Sequence, residues 1–353
     1  MARAKLADVA KMAEVSTASV SRYLNGSLVL PKETSDRIDA AISELDYRPH
    51  PHARRLSRGR SDIIALVVPE IANPFFAQLA SAAERAVGER GYRMMLFATD
   101  NRLGRELDYL VHLVGADVDG VLFVTNHTDA GGELAQAIAK NSRVVILDEN
   151  IDGVDAPRVF VDNFSAGRLA AEKFLEFGHR DFAYIGGPDG LMSVNERGEG
   201  FRSQLAPLGE RNTRLRILLG DYSPIHGAQA MNVLLDEGDP PTAILTGSDA
   251  ITLGILEVCH ERNIRIPDDI SLITIDDVLP NRFMTPAISA IRQPIAQMGQ
   301  VGVDSLLALI DGSPETVAPV TRLPVEFIAR KSVAAPREGC LKASSSKETS
   351  YGN

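Results

Sequence analysis

Cysteine occurs only twice in the 353 residues, at Cys259 and Cys340, far apart in sequence. Two distant thiols support neither a disulfide framework nor a Cys-rich metal site. Long apolar runs are missing as well: none approaches the roughly 18 residues that a membrane-spanning helix needs. The opening stretch MARAKLADVAKMAEV has no uninterrupted apolar segment of the secretory kind, so the cytoplasm is the expected compartment. Catalytic signatures are lacking too. There is no Gly-rich loop ending in Lys and Ser or Thr, no GxSxG and no HExxH. The seven His are scattered, and His50 and His52, two residues apart, do not share a helix face. No enzyme activity, no metal site and no cofactor is expected.

Apolar residues make up 44% of the chain, a globular proportion, and the length suits two or three domains. Lys and Arg are scarcer than Asp and Glu overall, 37 against 47, but the deficit is unevenly spread. Residues 1–60 hold 11 Lys and Arg and 7 Asp and Glu, while the remainder holds 26 and 40. A basic head on an acidic body suits a head that meets phosphate and a body that does not.

The head carries the strongest local signal, KLADVAKMAEVSTASVSRYLNG at 5–26. Leu6, Val9, Ala10 and Ala13 space a first short helix, and Glu14–Val15 forms a turn. A second helix starts at Ser16 and buries Val20 and Leu24. This is the spacing of a helix-turn-helix, whose second helix enters the major groove of DNA. Thr17, Ala18, Ser21 and Arg22 then face outward, with Ser16 and Asn25 completing the candidate DNA-contacting set. Arg22 is able to donate two hydrogen bonds to guanine, and Thr17 and Ala18 are small enough to touch a thymine methyl. A helical hairpin with a solvated face is the bland alternative, and the charge partition argues against it. Pro31 opens a third helix through about Leu45, with Ile38, Ala41, Ile42 and Leu45 on one stripe.

Residues 46–61, DYRPHPHARRLSRGRS, have little to bury and read as a basic linker. Beyond them short apolar runs alternate with helix-length segments. Strands are expected at Ile63–Val68, Met94–Ala98, Gly120–Val124, Arg143–Asp148, Arg158–Asp162, Phe182–Gly186, Leu215–Leu219, Ala243–Thr246 and Ser271–Ile275. Helices such as Phe76–Arg90, Ser165–Phe177 and Ala250–Arg262 lie between them. The alternation implies βαβ units and parallel sheets, too many for one small sheet, hence two lobes. Ligands of such folds bind beyond the carboxyl ends of strands. The expected organisation is a three-helix helix-turn-helix domain at 1–46, a hinge or linker at 47–61, a two-lobed α/β body at 62–330 and a polar, disordered tail at 331–353.

Several expected strand ends carry polar or aromatic groups: Asn73, Phe75 and Phe76 after the first strand, Asp148 at the fourth, Arg197 after Gly186-Gly187-Pro188, Tyr222, Ser248, Asp276 and Gln293. Carboxylates and an Arg hydrogen-bond vicinal hydroxyls, and an aromatic ring stacks on the apolar face of a sugar. Each residue alone reads equally well as a helix cap, a turn former or a core aromatic. Their shared place at strand ends favours a polyhydroxy ligand.

With these residues in view, the chain resembles the LacI/GalR family of bacterial transcriptional regulators over about 5–330. The segments that carry the resemblance are DVAKMAEVSTASVSRYLNG at 8–26, YRPHPHARRLSRGRS at 47–61, NPFF at 73–76, VDNFSAG at 161–167, RGEGF at 197–201, SDAITLG at 248–254, IPDDISLITIDD at 266–277 and IRQP at 291–294. The resemblance implies a dimer on a pseudo-palindromic operator, a hinge helix that folds on DNA, and a body like a periplasmic sugar-binding protein. It places Thr17, Ala18 and Arg22 on the recognition helix. It places Ala53 and Leu56 in the minor groove, with Leu56 as an apolar wedge that kinks the duplex. It places Phe75, Phe76, Asp148, Arg197, Tyr222, Asp276 and Gln293 in the effector cleft.

Three positions depart from the family pattern. Glu14 stands where Gly is common, which costs roughly 1 kcal/mol if its φ is positive. His52 replaces an apolar hinge residue. Ser248 stands where Asn is usual, so one amide contact to a ligand is lost. The heptad tail of tetrameric members is missing, so a dimer is expected. The expected function is repression of transcription under a small metabolite, a sugar or sugar acid. A purine- or partner-controlled regulator is the alternative, and a solute-binding protein the remote one.

Overall fold

In a computed structural model, residues 4–24, 28–47, 60–113, 118–129, 131–209 and 211–337 are described. Their contacts divide the chain into two compact units, residues 1–63 with 117–119 and the remainder. The expected DNA contact Asn25 and the hinge residues His52, Ala53 and Leu56 lie outside the described residues.

The first unit contains helices α1 (Leu6–Met12), α2 (Thr17–Leu24) and α3 (Lys32–Glu44). Val9, Ala10, Ala13, Val20, Ile38 and Ala41 close a small core. The Ser16 hydroxyl accepts from the Ser19 amide at 3.0 Å and so satisfies one orphan donor at the start of α2. Glu14 has φ 55°, in the left-handed region that favours Gly, so the substitution does carry backbone strain. Tyr47 belongs to this core, against the expectation that the linker begins there. It is buried, and its amide bonds to the Ile42 carbonyl at 3.0 Å. Its ring supplies the apolar area that closes the open end of so small a cluster.

The body has two six-stranded sheets. The first contains β1 (Ile63–Val68), β2 (Arg93–Ala98), β3 (Gly120–Phe123), β4 (Val144–Leu147), β5 (Arg158–Val161) and β11 (Val320–Leu323), in the order β11-β5-β4-β3-β1-β2. The second contains β6 (Asp181–Gly186), β7 (Arg214–Leu219), β8 (Ala243–Thr246), β9 (Ser271–Ile275), β10 (Ser289–Arg292) and β12 (Glu326–Ile328), in the order β12-β10-β9-β8-β6-β7. Strands β1, β3, β4, β5 and β11 run parallel, as do β7, β6, β8, β9 and β10, while β12 is antiparallel to β10. Most of these strands are buried on both faces, which is why they read as unbroken apolar runs rather than alternating ones.

Helices α4 (Pro74–Gly88), α5 (Leu103–His112), α6 (Glu133–Ala139) and α11 (Ile295–Ile310) belong with the first sheet. Helices α7 (Asn163–Glu176), α8 (Met192–Leu205), α9 (Pro224–Asp236) and α10 (Asp249–Glu261) belong with the second. The chain therefore passes between lobes after β5, after β10 and between β11 and β12. Strands β10, β11 and β12 are absent from the sequence expectation. They hold only three or four residues each, and Ser, Thr, Arg or Glu interrupts them, so no apolar run marks them.

The tail also starts later than expected. Ser332 is fully buried, accepts from the Ser289 amide at 2.8 Å and donates to the Leu272 carbonyl at 2.5 Å. His179 and Ser271 hold the Ala334 carbonyl at 2.8 and 3.1 Å. Residues 331–334 are thus tied to the second lobe by hydrogen bonds, most of them through the buried Ser332 and Ser271. Polar composition suggested disorder, but these hydroxyls find partners inside the fold.

Candidate ligand cleft and nucleic-acid interface

All nine cleft residues expected from sequence line one cavity of about 30 Å³: Asn73, Phe75, Phe76, Asp148, Arg197, Tyr222, Ser248, Asp276 and Gln293. The lobes share the lining. Asn73, Phe75, Phe76 and Asp148 come from the first, and Arg197, Tyr222, Ser248 and Asp276 from the second. Gln293 sits on the crossing after β10.

Local sequence explains each placement. Asn73 caps α4, its side chain accepting from the Phe75 amide at 2.9 Å, with Pro74 at the first helical position. That cap aims Phe75 and Phe76 inward, edge to face, 5.2 Å between centroids. Asp148 and Asp276 end β4 and β9, one in each lobe, with φ of 71° and 76°. Left-handed backbone is costly for such residues and clusters at binding sites. Ser248 caps α10, accepting from the Ile251 amide at 3.3 Å. The Tyr222 ring lies where a side chain on residue 187 would be: a Cβ there would fall 2.2 Å from it, so Gly187 is required.

Among the described residues Arg197 is the only cationic side chain in the lining, and it is almost completely buried. Its Nε donates to Asn163 Oδ1 at 2.8 Å and its Nη1 to the Gly247 carbonyl at 3.2 Å. Helix packing delivers it. A Cβ on Gly167 of α7 would stand 1.8 Å from the Arg197 carbonyl oxygen, and one on Gly200 of α8 would stand 1.9 Å from the Phe164 carbonyl oxygen. The two glycines let α7 and α8 touch backbone to backbone, which brings Arg197 within reach of Asn163.

The electrostatics are acceptor-rich. Burial pushes Asp276 up to about 7, with Asp249 adding to the rise and Arg197 and Gln293 opposing it. Burial likewise raises Asp148 above the ordinary carboxylate range against the pull of Arg197. Burial disfavours the Arg197 charge, but Tyr222, Tyr184, Asp276 and Asp148 outweigh it and hold the guanidinium charged. Gln293 Nε2 donates to Asp276 Oδ1 at 2.6 Å. Two buried acceptors in the lining, Asp148 Oδ1 and Gln293 Oε1, have no partner among the described residues. A buried acceptor without a donor costs about 1–3 kcal/mol, so these atoms suit a ligand that donates.

Sequence reasoning missed Asn126, Ser193 and Gly247 in the lining, and Asn163 and Glu149 behind it. Ser193 was legible, since it lies one helical turn before Arg197 on α8. Glu149 was legible as the second acid of a pair at a strand end. Asp221, next to Tyr222 in the chain, and Arg202, five residues after Arg197, are exposed and do not line the cavity. Asp277 serves another purpose than its neighbour Asp276. Burial opposes its charge, but hydrogen bonds from Arg292 and Arg330 prevail and hold it below the usual range, as a structural ion cluster.

On the head, Ser16, Thr17, Ala18 and Arg22 are exposed and Ser21 is half-buried, while Val20 of α2 is buried. The Tyr23 hydroxyl donates to Asp39 at 2.9 Å and ties α2 to α3. A short exposed helix with Thr, Ala, Ser and Arg on one face fits base-edge contact. No helix among the described residues is long and apolar enough to cross a membrane.

A helix-turn-helix head and a two-lobed ligand cleft together define a metabolite-controlled DNA-binding regulator. Comparison with known proteins agrees. Residues 5–50 match the bacterial regulatory proteins of the lacI family, and residues 171–333 match a periplasmic binding protein-like domain. The chain is similar to the HTH-type transcriptional repressor PurR of Serratia proteamaculans (strain 568), 33% identical over 94% of this chain and 97% of that one. It is similar to the ribose operon repressor of Bacillus subtilis (strain 168), 32% identical over 93% and 98%. In structure it is similar to the Lac repressor dimer bound to operator and the anti-inducer ONPF, with a TM-score of 0.83 and 27% identity over 95% of this chain and all of that one. The chain belongs to the LacI family of DNA-binding transcriptional regulators.

Proposed function

We propose that the protein is a cytoplasmic, non-enzymatic repressor that binds a pseudo-palindromic operator as a homodimer and is released or recruited by a neutral sugar in the inter-lobe cleft. Ser16, Thr17, Ala18, Ser21, Arg22 and Asn25 read the major groove, while Ala53 and Leu56 enter the minor groove. Asn73, Phe75, Phe76, Asp148, Arg197, Tyr222, Ser248, Asp276 and Gln293 hold the ligand. The observation that carries the ligand class is the pair of buried, unpartnered acceptors, Asp148 Oδ1 and Gln293 Oε1. Sugar hydroxyls donate to both, and Phe75 and Phe76 offer rings against the apolar sugar face. Sugar acids and phosphates fit less well, because Asp148 and Asp276 confront a single cation, Arg197. The similarity to a ribose operon repressor puts ribose first among sugars.

Homodimerisation is supported by Ile225, Val233 and Leu253, which α9 and α10 expose, and by Leu279 and Phe283 beyond β9. A purine base is the second reading, favoured by the similarity to PurR and by the same aromatic pair.

Thermal-shift measurement of the whole protein with ribose, other neutral sugars, sugar acids, sugar phosphates and purine bases separates the readings. A ligand at 100 times its Kd adds about 2.7 kcal/mol of stability. A shift with neutral sugars alone is the expected result. A shift with purines alone transfers the cleft to the second reading, and a shift with anions alone refutes the charge argument.

A further inference from the structure

Glu149 is an almost fully buried carboxyl that takes no place in the cavity lining. It sits at the end of β4 in the first lobe and reaches across the cleft to Ser193 on the first turn of α8 in the second. Glu149 Oε2 accepts from the Ser193 amide at 3.2 Å, and Oε1 pairs with the Ser193 hydroxyl. The Ser193 hydroxyl in turn lies 3.4 Å from the Tyr222 hydroxyl. Ser193 and Tyr222 line the cavity, and so does Asp148, the residue before Glu149. One carboxyl therefore joins the wall supplied by one lobe to the wall supplied by the other.

We infer that Glu149 is a positioning residue that latches the two lobes and sets Ser193 and Tyr222 against Asp148 before any ligand arrives. The inference rests on reading the cavity as the ligand site, but the latch itself needs no ligand.

Chemistry makes the latch depend on a proton. The groups facing Glu149 are Asp148 on its own strand, Arg197 and Ser193 on α8, Tyr184 on β6 and Tyr222 before α9. Burial, followed by the negative charge of Asp148, pushes Glu149 above neutrality, and Ser193 and Arg197 only partly oppose it. The protonated carboxyl still accepts the Ser193 amide on Oε2. Its O–H donates to the Ser193 hydroxyl, whose own hydrogen turns toward Tyr222. The ionised carboxyl must instead sit beside Asp148 without water. Opening the lobes would hydrate it and restore an ordinary affinity for the proton. The closed form thus binds the proton more tightly, so closure strengthens as pH falls and weakens as pH rises through the raised value. A second bridge, Arg322 of β11 to Glu196 of α8 at 2.7 Å on both arms, lies at the exposed rim, where solvent screens it.

The test is hydrogen exchange of the full-length, ligand-free protein at pH 6 and pH 9, corrected for the intrinsic chemical rate, read on a peptide spanning 190–197. In the wild type, Glu149 should lower protection of that segment roughly a hundredfold between pH 6 and pH 9, the factor set by the two pH units from 6 up to its raised value of about 8, beyond which both forms are ionised. Glu149→Gln keeps both hydrogen bonds without a charge and should shrink the fall to the roughly tenfold that Asp276, raised to about 7, contributes. Glu149→Ala should lose protection at both. Equal wild-type protection at pH 6 and 9, an unchanged pH effect in E149Q, or full protection in E149A would each overturn the latch. Since no ligand is added, these outcomes are independent of whether sugars bind.

Discussion

Gly167→Ala separates two effects of opposite sign. In an exposed helix the change is favourable by up to about 1 kcal/mol, because Ala orders at lower entropic cost than Gly. In α7 the new methyl would stand 1.8 Å from the Arg197 carbonyl oxygen and 2.9 Å from the Phe201 amide nitrogen, whereas ordinary contact begins at 3.4 Å. Both obstacles are backbone, so rotamer changes give no relief. Helices α7 and α8 must part by roughly 1.5 Å. Overpacking of this kind costs about 1–3 kcal/mol. Each kcal/mol moves the melting temperature by about 2–4 °C for a body of this size. Parting the helices also draws Arg197 away from Asn163, now 2.8 Å distant, so ligand affinity should fall although no cavity residue has changed. The control is Gly104→Ala on α5, where a Cβ meets nothing within 4 Å and the change should be neutral or stabilising. Calorimetry and isothermal titration of both variants supply the assay. A G167A protein that melts at or above the wild-type temperature, with ligand affinity intact, would refute the packing argument.

Three further outcomes are expected. His179 is buried between Thr242, Ser271 and Ala334, and burial lowers it to about 4 from 6.5. The unfolded chain then takes up the proton first, so stability should drop as pH falls from about 6.5 to 4, by at most roughly 3 kcal/mol. The raised cleft acids act in the opposite direction, so the quantity to measure is the difference in urea stability between wild type and His179→Gln at pH 7 and 5; a constant difference would show that His179 does not titrate as proposed. Glu14→Gly should stabilise the head by about 1 kcal/mol by relieving the positive φ, since the 3.7 Å Glu14–Arg37 pair is too exposed to compensate. Hydrogen exchange of α1–α3 in the whole protein reads this, and slower exchange in the parent than in the Gly variant contradicts it. Arg22→Ala should cost about 1–3 kcal/mol on the cognate operator and relax base preference at one position; an equal loss on random DNA would make Arg22 a phosphate contact.

The nine expected strands are present with ends displaced by at most one residue, because short apolar runs, most of them buried, are a local signal. The cleft set was legible for a different reason. In a parallel α/β body every strand end points at the same rim, so polar residues that follow apolar runs collect there whatever the order of strands. The Glu149–Ser193 bridge was not legible, because the two residues lie 44 apart in the chain and in different lobes. The late start of the tail escaped notice because Ser332 and Ala334 are polar or small, and only the second lobe supplies their partners.

What the sequence alone determined was everything governed by spacing: the helix-turn-helix with its outward Thr17, Ala18 and Arg22, the alternation of strands and helices, and the family. What only the tertiary structure decided was which neighbours share a fate. Asp276 and Asp277 are adjacent in the chain, yet one is buried beside a single Arg and pushed up to about 7, while the other is held ionised by Arg292 and Arg330. Successive residues of a strand face opposite sides, and the charges each side meets come from segments remote in sequence. Short-range pattern fixes which way a side chain points. Its proton affinity, its partners and its use depend on what the fold brings to meet it.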